Sequence, residues 1–314
     1  VYSYTLRLTG PGVPGENRLP GALVRDLFDA LDRGAQGAVR LRLEGRSASR
    51  GPAPGWLKQA ARFDVDLDAR LPGGSIRLTA PTLGESLRDR FSQRDLFADP
   101  VRDETPVSLF TAGLADAVRG RRESDAFDDA LLPAFEELGR VFSRNIDTIE
   151  IRNGHPDATP LTVTAEGIQI VEQIKRQIPR SQRVRIAGRL DTIRYSDRAF
   201  TLVLPPNGPA LRGVFPGDDG GQLKTHFGQV VAVSAVAHFK PSGALRVIEA
   251  DAVNPASEAD LAVFSTVPVS MEAILDARTL RVPQGPRTGV NAIFGQWPGD
   301  ESDEDILRIL DELS

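Results

Sequence analysis

A chain of 314 residues is longer than one small core needs and fits two domains with connecting segments. Apolar residues make up 40% and charged residues 26%, as in ordinary globular proteins, and no apolar run is long enough for a membrane span. The net charge is −5, and there is no Cys, which excludes disulfides, thiolate metal sites and cysteine nucleophiles.

The opening Val1-Tyr2-Ser3-Tyr4 lacks a basic stretch followed by an apolar one, so no signal peptide and a cytoplasmic location are expected. Residues 4–8 alternate like a half-buried strand. Residues 19–31 place Leu23, Leu27, Phe28 and Leu31 on one helical face. Val39, Leu41 and Leu43 alternate with Arg40, Arg42 and Glu44, which predicts a second strand. Gly51-Pro52-Ala53-Pro54 breaks the chain. Phe63, Val65 and Leu67 then alternate with Asp64, Asp66 and Asp68, and Pro72-Gly73-Gly74 turns into residues 75–80, so this pair reads as a hairpin. Two helices follow, over 106–118 and 124–142, the second with a stripe of Phe127, Leu131, Phe135, Leu138 and Phe142. Residues 148–152 and 161–164 read as strands, and 167–178 as a helix that Pro179 ends. These elements make an α+β domain over residues 1–180.

Residues 181–254 read more plainly. Strands are predicted over 183–195, 199–204 and 210–215, then a short helix over 222–227, then strands over 229–239 and 244–253. Three strands, a helix and two strands is the order of a five-stranded OB-like β-barrel, with an SH3-like barrel as the competing reading. Residues 255–300 read as a linker, with Met271, Ile274 and Leu275 at the spacing of a short helix within 270–280. Residues 301–314 read as an acidic amphipathic helix. Ser302 is its N-cap, Asp303, Glu304 and Asp305 lie at its positive end, and Ile306, Leu307, Leu310 and Leu313 are its apolar side. From 298 to the end, seven acids face the single base Arg308, a net of −6, which leaves the rest of the chain at +1.

Reactive constellations are sparse. His155, His226 and His238 have no second His or carboxylate at the helical spacing of zinc motifs, and His238 falls in a predicted core strand, where a structural role is expected. No nucleophile elbow or phosphate-binding Gly-rich loop is present. Asp64, Asp66 and Asp68 share one strand face and could hold a divalent cation, but they read first as the wet side of a hairpin. No enzyme activity, cofactor or metal is expected. The barrel segment offers a different chemistry. It carries nine basic and six acidic residues, and Arg183, Arg185 and Arg189 share a face opposite Val184 and Ile186. With Tyr195 nearby, that face could bind single-stranded nucleic acid through phosphate contacts and base stacking. Phe200 alternates with Leu202 and Leu204 and reads as core.

The run Phe294-Gly295-Gln296-Trp297-Pro298-Gly299-Asp300-Glu301-Ser302-Asp303-Glu304 resembles the C-terminal end of bacterial antitoxin-like proteins. Those proteins carry a Trp-Pro-Gly-Asp-Glu run before a short Leu-rich helix and are usually paired with PIN-domain ribonuclease toxins. The likeness covers residues 294–314, and Arg189-Leu190-Asp191 and Arg212-Gly213-Val214 look like the middle of longer members. The resemblance implies that the chain neutralises a PIN-domain toxin by direct binding. Trp297, Ile306, Leu307, Leu310 and Leu313 would then be the partner-binding residues, and Arg308 or Arg287 the candidate to enter an acidic nuclease site. A helix this short is marginal alone and would gain stability in a partner's groove or by packing back on its own body. The alternative function is the nucleic-acid binding described for the barrel.

Overall fold

The computed structural model describes residues 1–14, 18–49, 51–66, 73–88, 100–154, 159–194, 199–206, 208–215, 220–274, and residues 304 and 308. The chain divides into two units, Val1–Ser270 and Met271–Ser314. The first is mixed α+β and contains two five-stranded sheets.

The first sheet has β1 (Tyr2–Thr9) at its centre, flanked by β3 (Ser75–Ala80) and β4 (Thr148–Asn153), with β2 (Asp64–Asp66) and β5 (Leu161–Val163) at its edges. All of its pairings are antiparallel, and Leu6 lies opposite both Ile76 and Ile151. The period of two sends Tyr4, Leu6, Leu8, Leu78, Ile149, Ile151 and Val163 into one core. Helices cover that face: α1 (Gly21–Glu44), α4 (Pro106–Val118), α5 (Leu132–Glu136), α6 (Gly139–Phe142) and α7 (Ala165–Gln177) all contribute to it. Tyr4 is buried and its hydroxyl lies 2.7 Å from that of Thr105, which also caps α4. Desolvation by burial raises the Tyr4 pKa, which favours the neutral phenol.

Two sequence expectations are corrected here. Residues 39–43 are not a strand but the last turns of α1. Ala38 and Leu41 face the main core, while Val39 and Leu43 join a second cluster with Leu57, Ala60, Leu83 and Leu87. A helix buried on two sides has apolar residues close to every second position, which imitates a strand over five residues. The second cluster is completed by α2 (Gly55–Ala60) and α3 (Leu83–Ser86), which pattern reading did not anticipate. The single helix expected over 124–142 is instead turns followed by the short α5 and α6. Pro133 lacks an N–H and is tolerated in the first turn of α5, but a helix begun near Ser124 cannot run through it. Phe127, Leu131, Phe135 and Leu138 are nonetheless buried, as their spacing required.

The second sheet is formed by β6 (Gln182–Arg194), β7 (Ala199–Val203), β8 (Ala210–Val214), β9 (Val230–Phe239) and β10 (Leu245–Pro255). Its order is β10-β8-β7-β6-β9, and β9 pairs with β10, so the ring closes into a barrel. All neighbours are antiparallel except β8 and β10, which run parallel. The short helix α8 (Gly220–Thr225) lies between β8 and β9. Ile186, Leu190, Phe200, Leu202, Val231, Val233 and Ile248 fill the interior. Gly213 is forced by this packing, because a Cβ there would stand 2.1 Å from the Phe200 ring. The chain then forms α9 (Glu258–Phe264) in a stretch expected to be linker. In the second unit, α10 (Met271–Ile274) falls within the short helix expected at 270–280, and residues 275–280 lie outside the described residues. No described helix is long and apolar enough to cross a membrane.

Polar contacts join the sheet layer to the barrel at the end of α1. Gly45 caps that helix in the left-handed conformation at φ 74°. Arg246 from β10 donates to the Gly45 carbonyl at 2.8 Å and pairs with Asp128 at 3.2 Å. Arg46 pairs with Glu249 at 2.7 Å, and Lys240 with Asp125 at 2.9 Å. Cations at a helix C-terminus oppose its negative dipole end, so this cluster has a structural reason to be basic.

Candidate nucleic-acid interface

The outer face of β6 gathers the basic side chains that the sequence singled out. Arg183, Arg185 and Arg189 are all exposed, while Val184 is half-buried and Ile186 and Leu190 are buried. A bulge between Leu190 and Thr192 shifts the outward parity from odd to even positions, so exposed Arg194 continues the same face. Sequence reading missed Arg194, because strict alternation places it on the inside and the bulge has no local signature. Tyr195 lies outside the described residues.

The three arginines differ in their surroundings. Arg189 pairs with Asp191 two positions along the strand at 2.9 Å, with both side chains well exposed. Such a pair contributes little and gives way readily to a phosphate. Arg185 is engaged by α9: the Asp260 carboxylate is 2.9 Å from its guanidinium, and the Phe264 ring centroid is 5.6 Å from its Cζ. Asp260 also accepts from the Ser257 N–H at 3.0 Å and hydroxyl at 2.8 Å, closing the capping box of α9. These Ser257 bonds first, and the Arg185 charge second, hold the Asp260 carboxyl below the usual carboxylate range. Gln182 donates to the Val269 carbonyl at 2.7 Å, fastening the chain after α9 to the start of the same strand.

Other candidates resolve into structural roles. Asp64 is 3.0 Å from Arg62, and Asp66 is 3.5 Å from Arg77, both on the exposed β2, while Asp68 lies outside the described residues. No group of three or more His, Asp or Glu with metal-holding geometry occurs among the described residues. His238 is on β9, its Nδ1 2.9 Å from the Ser181 hydroxyl and its Nε2 3.4 Å from Glu249, at 28% side-chain exposure rather than in the core. His226 is 3.3 Å from Gln229, and His155 lies outside the described residues. A cavity of about 310 Å³ lies between the end of α1 and the barrel, lined in part by Gly45, Asp125, Arg212, Lys240 and Arg246. Lys240 and Arg246 are already committed there to Asp125 and Asp128.

The proposed partner-binding residues Trp297, Ile306, Leu307, Leu310 and Leu313 lie outside the described residues. Of that tail, Glu304 and Arg308 are described, and both are helical and exposed. They are four positions apart in the sequence, with the acid first. No protein-family model, curated protein or solved structure matches the chain.

Proposed function

We propose that the chain is a non-enzymatic binding protein whose barrel is of the OB type and whose β6 face takes single-stranded nucleic acid. The strand order supports the OB assignment over an SH3-like one: the short helix falls between the third and fourth strands, and the third and fifth close the ring in parallel. Fold analogy alone carries no function. The observation that carries this reading is the row Arg183, Arg185 and Arg189, outward on one strand, with an aromatic ring already lying on the central guanidinium. Such a face binds phosphates through charge and bases through stacking. The edge near the β9–β10 turn, which OB barrels often use, is occupied in this chain by its own α+β layer through Lys240 and Pro241. The test is a gel shift with single-stranded oligonucleotides at increasing salt. Retardation that weakens steeply with salt is the expected result, and none at low salt refutes the reading.

A second reading is the toxin-neutralising role, with a PIN-domain ribonuclease as the protein partner. It is favoured by the separate C-terminal unit Met271–Ser314 and by helix at Glu304 and Arg308, where the acidic amphipathic pattern requires it. Co-purification with a PIN-domain partner should fail for a chain stopped before Phe294 and weaken for Leu310→Asp with Leu313→Asp. If the shortened chain retains the partner as well as the full chain does, the tail is not the docking element.

A further inference from the structure

The contacts between α9 and β6 converge on Arg185. One is a carboxylate oxygen at 2.9 Å from a guanidinium nitrogen, and the other is an aromatic ring at 5.6 Å from the guanidinium carbon. An anionic oxygen and a flat ring are the two groups a nucleotide presents to an arginine, as phosphate and base. The rest of α9 is weakly anchored. None of its residues is buried, and Val263 is 63% exposed. Elements that stay in place do so chiefly by burying apolar surface. α9 is held instead chiefly by two contacts to Arg185 that a competing anion and ring can replace one for one, with the hydroxyl of its C-cap Ser265 3.4 Å from the Ala187 carbonyl as a further tie. Its internal cap, Ser257 with Asp260, does not involve β6, so the helix can lift without losing its first turn.

We propose that α9 is an internal stand-in for a nucleotide: it engages the Arg185 guanidinium in the resting chain and is displaced when single-stranded nucleic acid reaches the β6 face. The proposal rests on the nucleic-acid reading of that face. Displacement lowers the apparent affinity by the fraction of molecules in which α9 is lifted. It also selects for ligands that supply both groups. A bare polyanion can replace Asp260 but has no counterpart for the Phe264 ring.

The test is fluorescence anisotropy with a labelled oligothymidylate of roughly 20 nucleotides, longer than one barrel's site. It compares the native chain with the Asp260→Asn, Phe264→Leu double variant, each with and without Arg185→Gln. Asn keeps a carbonyl oxygen for the Ser257 N–H, so the cap of α9 survives. The double variant is expected to bind about tenfold tighter, because no free energy goes into lifting α9, with the same log–log salt slope, because both complexes hold the same Arg185–phosphate contact. Arg185→Gln should abolish that gain while changing the native chain far less. Binding by the double variant alone also supports the stand-in. Equal affinity for the native chain and the double variant overturns the stand-in and leaves the reading of the face intact. Absence of binding by both at about 50 mM salt overturns both.

Discussion

Replacing Asp128 with Ala is expected to destabilise the chain by about 3–5 kcal/mol, the range for breaking a buried ion pair from one side. Asp128 accepts from the Ser47 N–H at 2.8 Å, from the Leu131 N–H at 3.0 Å and from the Ser47 hydroxyl, and it pairs with Arg246. The side chains of Asp128 and Arg246 are 6% and 8% exposed. Truncation strands a guanidinium in the interior and leaves the Ser47 N–H without its acceptor, while the Leu131 N–H keeps the Asp128 carbonyl at 3.2 Å. Urea denaturation measures the loss. Asp128→Asn should lose less, because one acceptor oxygen remains. Asp128→Ala combined with Arg246→Ala should lose less than the two single changes added together. A loss under about 1 kcal/mol for Asp128→Ala would mean that water satisfies these groups and that the junction is not held here.

The largest functional effect is expected from Arg183→Gln, Arg185→Gln and Arg189→Gln made together. If each arginine neutralises one phosphate, removing three lowers the salt slope of single-strand binding by about two, and affinity at low salt by about a hundredfold. Gln retains length and hydrogen bonding, so the loss reports charge. Because all three side chains point outward, stability should move by no more than about 1 kcal/mol, most of it from the Arg185 contacts to Asp260 and Phe264. A triple variant with an unchanged slope would place the nucleic-acid contact elsewhere on the molecule or remove it altogether.

The barrel was the most legible part of the sequence. Its strands are β-branched, alternate cleanly and end at Gly and Pro turns, so local pattern and tertiary environment agree. Legibility failed where burial is not one-sided. The end of α1 packs against two clusters at once, and its pattern imitated a strand. At 124–142, side-chain periodicity located the core residues correctly, but Pro133 decided the backbone. The site was half legible. Alternation put Arg183, Arg185 and Arg189 on one face, and the structure keeps them there. The bulge that adds Arg194 and the helix that engages Arg185 depend on pairing between distant segments, and α9 has no buried stripe to announce it.

Residue order along β6 and its partners also sets a timetable. β6 pairs with β9 through Gln182↔Ala237, and the ring is sealed only when β10 meets both β8 and β9. During synthesis the strand bearing the arginines therefore emerges well before the partners that complete its barrel, and the segment that engages Arg185 emerges last of these. Pairings this far apart in sequence form slowly. A nascent or partly refolded chain thus presents an open, basic strand edge before it presents a finished surface. On the nucleic-acid reading of that face, newly made and mature protein should differ in how readily they retain single-stranded nucleic acid.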